Sequence, residues 1–272
     1  MWFTLESDPE VFTSLLQKNG IKSLFAKEVF DLDLIEDFPE IVAFIFLFKY
    51  AKRNCKSEFF DECENSRRII FIPQIAENSC ATVALLNVVF NIDECYLGDK
   101  LGAVKLSLNN IDAIQKGTFI AQNSDMKKAH NAHVCEEIEY MKTMLNQNTS
   151  ESNSGDAFHY SALIPLAQSN GLVELDGLEK MPIVVDRSDN FWLNSAKIYI
   201  QNRISEIQTV GKSGDVRFNL IAIASSENGL IKKTKVDIAS TPSSDIYSYN
   251  YIPDLIKTLK SISKSNQFAA FV

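Results

Sequence analysis

The run Ile41–Phe48, IVAFIFLF, limits the possible folds more than any other stretch of this chain. Eight consecutive apolar residues are too few to span a bilayer as a helix, which needs about 20. The run is short, aromatic and β-branched, so it reads as a buried strand. Such a strand needs a sheet around it and a core to sit in. The chain has 272 residues, 46% hydrophobic and 23% charged, which are ordinary globular values. A chain of that length buries about three quarters of its unfolded surface, so its core needs no disulfide or metal staples.

Other elements arrange themselves around that strand. Asp8-Pro9 before an apolar pattern predicts a capped helix start, and Gly20 its end. RIIFIP predicts a second short strand over 69–72. Residues 81–91, ATVALLNVVFN, are nearly all apolar and predict a helix buried on most sides. Residues 99–121 and 124–145 read as two helices. Residues 146–156, NQNTSESNSGD, carry no large apolar side chain and predict a mobile loop. Beyond the loop the period changes to that of strands. Ala157–Leu166 and Leu172–Asp176 flank AQSNG, a hairpin signal. A helix follows over 190–209, then a strand over Val216–Ser225 and a shorter one over Leu230–Val236. Residues 237–248 read as a linker and 249–262 as a last amphipathic helix. Helices first and a sheet afterwards indicate an α+β or mixed α/β fold. The expected division is a main domain over 1–236 and a linker with a short helical appendage over 237–272.

Charge and cysteine usage narrow the function classes. Twenty-seven Lys and Arg against 35 Asp and Glu give a net charge of −8. An acidic chain is a poor non-specific nucleic-acid binder and suits a basic partner. The five cysteines (Cys55, Cys63, Cys80, Cys95, Cys135) are odd in number and show no metal-ligand spacing. With no signal peptide in evidence at the N-terminus, reduced thiols inside a cell are the expectation, without metal, cofactor or membrane span.

One cysteine stands apart. Cys80, in ENSCAT, lies directly before the apolar helix. A thiol there sees the positive end of the helix dipole and unpaired N–H groups, which favours the thiolate. The alternative is a small buried residue. A thiolate nucleophile needs a base. His130 and His133 lie three apart in KKAHNAHVCEE and read as a solvated helix face. His159 begins a strand, in DAFHY, and Asp176 ends the return strand of the hairpin, in LVELDG. A turn centred between residues 167 and 168 sets the two opposite each other, with Cβ atoms roughly 5 Å apart. The carboxylate then orients the imidazole toward a thiol. Gln74, six residues before Cys80, has an amide that could serve, with the Cys80 N–H, as an oxyanion donor. The alternative for Gln74 is a solvated loop residue.

These stretches resemble a known family. WFTLESDPEVFTSLL, IFLFKY, Gln74 with NSCAT, SDMKKAHN, DAFHY, LVELDGLE and RFNLIAI resemble, in order and spacing over about residues 2–225, the ubiquitin C-terminal hydrolases. These are papain-like cysteine peptidases. The resemblance implies Cys80 as nucleophile, His159 as base, Asp176 as orienting carboxylate and Gln74 as oxyanion donor. It implies a central, mostly antiparallel sheet with helices on both sides and a knotted backbone. Residues 146–156 match the family's crossover loop. Ala81 and Asn87 resemble the longer, proteasome-associated branch, whose C-terminal extension docks on a proteasomal ubiquitin receptor. YNYIPDLIKTLKSI resembles part of that extension, in shortened form. The implied activity is cleavage at the C-terminal glycine of ubiquitin, in cytoplasm and nucleus. A ubiquitin-like modifier as substrate and a non-catalytic ubiquitin-binding scaffold are the alternatives.

Overall fold

The structure is a computed structural model that describes residues 1–38, 40–49, 58–59, 69–134, 158–166, 171–187, 191–210 and 218–226. The expected loop over 146–156, the strand over 230–236, the linker and the helix over 249–262 lie outside the described residues, as do Cys55, Cys63 and Cys135. The expected knot depends on segments that are also outside them.

The apolar run forms β2 (Ile41–Lys49), near the middle of a seven-stranded sheet. The other strands are β1 (Leu24–Glu28), β3 (Glu58–Phe59), β4 (Phe158–Pro165), β5 (Leu172–Asp176), β6 (Ile183–Asp186) and β7 (Phe218–Ser225). The order is β1-β7-β2-β4-β5-β6-β3, and every described pairing is antiparallel.

Alternation along β2 supplies both cores. Ala43 and Ile45 enter one apolar cluster, and Phe44, Phe46 and Phe48 enter the other. Ile41 joins the phenylalanines although its parity is wrong. The ladder with β7 shifts register between Ile41 and Ala43, and one extra residue reverses the facing of everything before it.

Five helices supply the first cluster: α1 (Pro9–Lys18), α2 (Cys80–Val89), α3 (Asp99–Leu108), α4 (Ala113–Gln122) and α5 (Ser124–Asn131). The second lies under α6 (Trp192–Val210), through Leu193, Ala196 and Ile200, and under Ile35 of a 3-10 turn over Leu32–Asp37. The sheet is therefore covered on both faces, as an all-apolar central strand requires.

Local signals explain most element ends. Asp8 caps α1 by accepting from Glu10 N at 2.7 Å, Pro9 opens the helix, and Gly20 turns the chain at φ +91°. The expected helix over 99–121 is two helices. The first ends at Leu108, and Asp112 caps α4 in a reciprocal capping box with Gln115. The expected helix over 124–145 ends at Asn131 within the described residues.

The expected strand over 69–72 makes no strand ladder. Its backbone is bound by side chains of α2 and of the turn after it instead. Asn91 pairs with Ile70 N and O at 2.9 and 2.7 Å, and Asn87 pairs with Ile72 N and O at 2.8 and 3.1 Å. Two buried amides one helical turn apart thus replace a neighbouring strand. Strands β1, β3 and β6 have no counterpart in the sequence reading. They are short, and the charged Lys27 and Glu28 break the alternation of β1.

Candidate active site

Cys80 opens α2. The loop before it is unusual: Asn78 is the one described non-glycine residue with positive φ, at 61°. Its side-chain amide donates to Trp2 O at 3.3 Å. Ser79, at the N-cap, makes no side-chain cap; its hydroxyl donates to Ala76 O at 2.7 Å. The first-turn amides of α2 therefore lack a side-chain acceptor and face the region of the thiol. The rest of α2 is buried from Ala81 to Val89, whereas Cys80 is half-buried with a free thiol. The helix is anchored by its apolar body, and its thiol-bearing end is left partly accessible.

His159 and Asp176 meet in the structure, in a register that differs from expectation. Leu166 N donates to Gly171 O at 2.8 Å, so the hairpin closes one residue later than expected. Asp176 then lies opposite Ser161 rather than opposite His159. The slip is two residues, which preserves the face because side chains alternate with period two. His159 and Asp176 are diagonal neighbours, a separation that long polar side chains bridge. His159 Nε2 and Asp176 Oδ1 are 2.6 Å apart, and both residues are buried, at 4% and 3% exposure. The same Oδ1 accepts from Leu178 N at 2.9 Å, which fixes the carboxylate. Phe48 meets the imidazole edge-on, with centroids 5.9 Å apart.

The Cys80 side chain acts on the same imidazole. Burial pushes the imidazole toward its neutral form. The Asp176 carboxylate and the Cys80 side chain together outweigh burial, and the pKa is raised to about 9. One imidazole thus links a thiol to a carboxylate, and it is protonated at neutral pH.

Gln74 lies on the segment leading to the Cys80 loop. Its backbone N donates to Gly177 O at 2.8 Å, tying it to the end of β5 just after Asp176. Its Nε2 donates to Ala76 O at 3.2 Å, which uses one of the two amide hydrogens. All four singled-out residues therefore converge at the start of α2. Among the described residues no group of three His, Cys, Asp or Glu side chains could hold a metal ion, and no helix is long and apolar enough to cross a membrane.

His130 departs from its expected solvated position. It is fully buried, bonded to Thr82 Oγ1 and to Phe3 O at 2.7 Å each. His133 stays near the surface, 3.3 Å from Lys18 Nζ. Sequence reasoning also missed Asn91, Gly177 and the buried bonding role of Asn87. The two asparagines were visible as polar residues four apart on an otherwise apolar helix, a pattern that requires buried partners. Gly177 was visible as the Gly of an Asp-Gly pair closing a strand.

Comparison with known proteins places this geometry. Residues 2–205 match the family model described as ubiquitin carboxyl-terminal hydrolase, family 1. Ubiquitin carboxyl-terminal hydrolase isozyme L5 of Dictyostelium discoideum is 33% identical over 225 residues, covering 82% of this chain and 61% of its own length. Ubiquitin carboxyl-terminal hydrolase BAP1 of Xenopus tropicalis is 34% identical over 234 residues, covering 82% of this chain and 33% of its own. The chain therefore matches less than two thirds of the length of each of these relatives. Among solved structures, the Trichinella spiralis UCH37 catalytic domain bound to ubiquitin vinyl methyl ester superposes with a TM-score of 0.66 at 29% identity, covering 83% of this chain and 96% of that one. With three quarters of its residues in the family model, the chain belongs to the ubiquitin carboxyl-terminal hydrolases, family 1.

Proposed function

We propose that this chain is a deubiquitinating cysteine peptidase that hydrolyses amide or isopeptide bonds at the C-terminal glycine of ubiquitin. The observation that carries the reading is the buried His159–Asp176 pair at 2.6 Å, whose protonated imidazole interacts with the Cys80 thiol at the start of α2. A pure binder has no need of a matched nucleophile and base. The UCH37 relative bound to ubiquitin vinyl methyl ester adds support for ubiquitin as the partner.

The steps follow from the geometry. With Nε2 taken by Asp176, Nδ1 is the ring nitrogen left for Cys80. The Cys80 thiolate attacks the carbonyl carbon of the terminal glycine. Negative charge passes to the carbonyl oxygen, where the second Nε2 hydrogen of Gln74 and the Cys80 N–H donate to it. The His159 imidazolium gives its proton to the leaving amine as the C–N bond breaks, and a thioester remains. Now neutral, His159 takes a proton from water, which attacks the thioester and releases a free carboxylate and Cys80. Asp176 stabilises the imidazolium at each stage and holds its tautomer. The net charge of −8 favours encounter with a basic partner.

Incubation with ubiquitin vinyl methyl ester, followed by mass spectrometry, tests the proposal. We expect one adduct on Cys80, none in Cys80→Ala, and no hydrolysis of a fluorogenic ubiquitin amide by that variant. An adduct only with a ubiquitin-like electrophile would move the substrate to that class. Turnover by Cys80→Ala would remove the nucleophile assignment.

We also propose a proteasome-side partner for residues 249–262. Support comes from the sequence, where Tyr251, Ile252, Leu255, Ile256, Leu259 and Ile262 recur at helical spacing. Deleting 240–272 should leave a folded hydrolase that no longer co-purifies with proteasomes. Undiminished association, or a large fall in melting temperature, counts against docking. Cytoplasm and nucleus are the proposed setting, in keeping with the free thiol of Cys80.

A further inference from the structure

Gln74 is held loosely at its tip. One hydrogen bond, at 3.2 Å, restrains its Nε2, and its Oε1 is buried without a partner among the described residues. A side chain held this way takes its aim from its backbone, and that backbone is gripped from two sides by glycines.

On one side is Gly177. Its carbonyl accepts from Gln74 N at 2.8 Å. A Cβ on Gly177 would lie 3.0 Å from Val83 Cγ1, 3.1 Å from Gln74 N and 3.2 Å from Gln74 Cβ. The bare backbone is what lets the end of β5 lie against both Gln74 and α2.

On the other side is Gly117, in the middle of α4. A Cβ there would lie 2.5 Å from Pro73 O and 2.7 Å from Ile75 Cγ1. Glycine is a poor residue for a helix interior, because it loses more backbone freedom than alanine. Its presence here matches the close approach of the 73–75 backbone. A clash with a backbone oxygen cannot be relieved by rotating a side chain, so α4 or the Gln74 segment must move.

We propose that Gly117 and Gly177 form a two-sided clamp on residues 73–75 and act as positioning residues for the Gln74 amide. The inference rests on the reading of Gln74 as an oxyanion donor. Such a donor acts within a few tenths of an ångström of its best distance, so a displaced backbone weakens it without touching the nucleophile.

The test compares two reactions of Cys80. Hydrolysis of a fluorogenic ubiquitin amide develops an oxyanion; alkylation by iodoacetamide does not. Gly117→Ala should lower kcat by about 10- to 100-fold, with KM and the alkylation rate within about threefold of wild type, as expected for partial loss of one donor. Gly177→Ala, with looser contacts, should give a smaller loss of the same kind, about 3- to 10-fold. Gly102→Ala, on α3, has nothing within 4 Å of its new Cβ and should change neither reaction.

In a Gln74→Ala background, Gly117→Ala should cause little further loss, because the group it positions is gone. Additive losses, or alkylation falling in step with turnover, would overturn the clamp. So would wild-type kcat in Gly117→Ala while Gln74→Ala alone is slow. Wild-type kcat in Gln74→Ala would instead remove the oxyanion reading itself. If Gly117→Ala does not fold, Gly177→Ala decides alone: an unchanged kcat refutes the clamp.

Discussion

Two buried histidines flank α2, and their protonation is pushed in opposite directions. His130 is fully buried and His159 is 4% exposed. Each has protein partners for its ring. The imidazole of His130 has its pKa lowered to about 4, chiefly by burial, and only partly offset by the Phe3 carbonyl. That of His159 is raised to about 9, although burial is again the largest single influence. The difference lies in the partners. His130 faces a hydroxyl and a backbone carbonyl, which are neutral. His159 faces a carboxylate and a thiol. Burial alone makes a histidine neutral; an anion beside it makes the same burial work for the cation.

The two sites share one helix. Cys80 and Thr82, two residues apart and so on opposite sides of α2, meet His159 and His130 respectively. Phe3 O can only accept, so His130 carries its proton on Nε2 and takes the Thr82 hydroxyl hydrogen on Nδ1. The Trp2 indole packs edge-on against the ring, with centroids 4.9 Å apart, and Asn131 binds Phe3 N and Met1 O. His130 therefore fastens the first residues of the chain to α5 and α2. That fastening extends to Asn78, whose amide reaches Trp2 O. One histidine holds its proton between a carboxylate and a thiol, and the other braces the helix that carries the thiol.

The sharpest way to break this comparison is to make the partners of His159 neutral as well. Asp176→Asn keeps the shape of the hairpin but removes the charge. We expect kcat to fall by about 10²- to 10⁴-fold, with KM changed only a few fold. The pKa of His159 should drop from about 9. Because the folded-state value is raised, the stabilisation due to the ion pair is fully present below the unfolded value near 6.5. It is lost as pH rises through about 9. The stability gap between wild type and variant should therefore be widest below pH 6.5 and close above about pH 9. Kinetics and urea unfolding from about pH 5 to about pH 10 read both effects, over the window in which the linkage acts. Near-normal turnover, or a gap that widens with pH, would refute the role given to Asp176.

Much of the His159 site was legible because each member carried a local mark. Cys80 stood at a helix start, His159 and Asp176 at the open ends of a hairpin, and Gln74 just upstream of the thiol. The hairpin register was wrong by two residues, yet the pairing survived, since parity and not register decides which face a strand residue takes. The His130 site was not legible. KKAHNAHVCEE is polar on all sides and reads as solvated. Its histidine is buried between α2 and residues 2–3, and the latter contact spans 127 positions that no local pattern reports. The same limit hid the state of residues 69–72. A strand-like stretch looks alike whether a ladder or two asparagines satisfy its backbone. Asp112 was a cap signal in plain view inside an otherwise helical run.

The smaller effect, and the finer test, lies on the acid side of His130. Its folded pKa is depressed to about 4, so between that value and 6.5 the unfolded chain binds a proton that the native state refuses. Stability must then rise with pH across this window and fall as acid is added. At roughly 1.4 kcal/mol per pKa unit, the full loss attributable to this one group is about 3 kcal/mol. His130→Gln offers an amide that can donate to Phe3 O and accept from Thr82, but it does not titrate. The variant should be less stable than wild type near pH 7, since its geometry is imperfect. Its acid profile should be flatter, so that the gap narrows by up to about 3 kcal/mol as pH approaches 4. Turnover near neutral pH should stay within a few fold, because His130 touches no reacting atom. Urea unfolding of both proteins at several pH values settles it: parallel profiles would mean that His130 is not held neutral. The contrast between the two histidines would then rest on His159 alone.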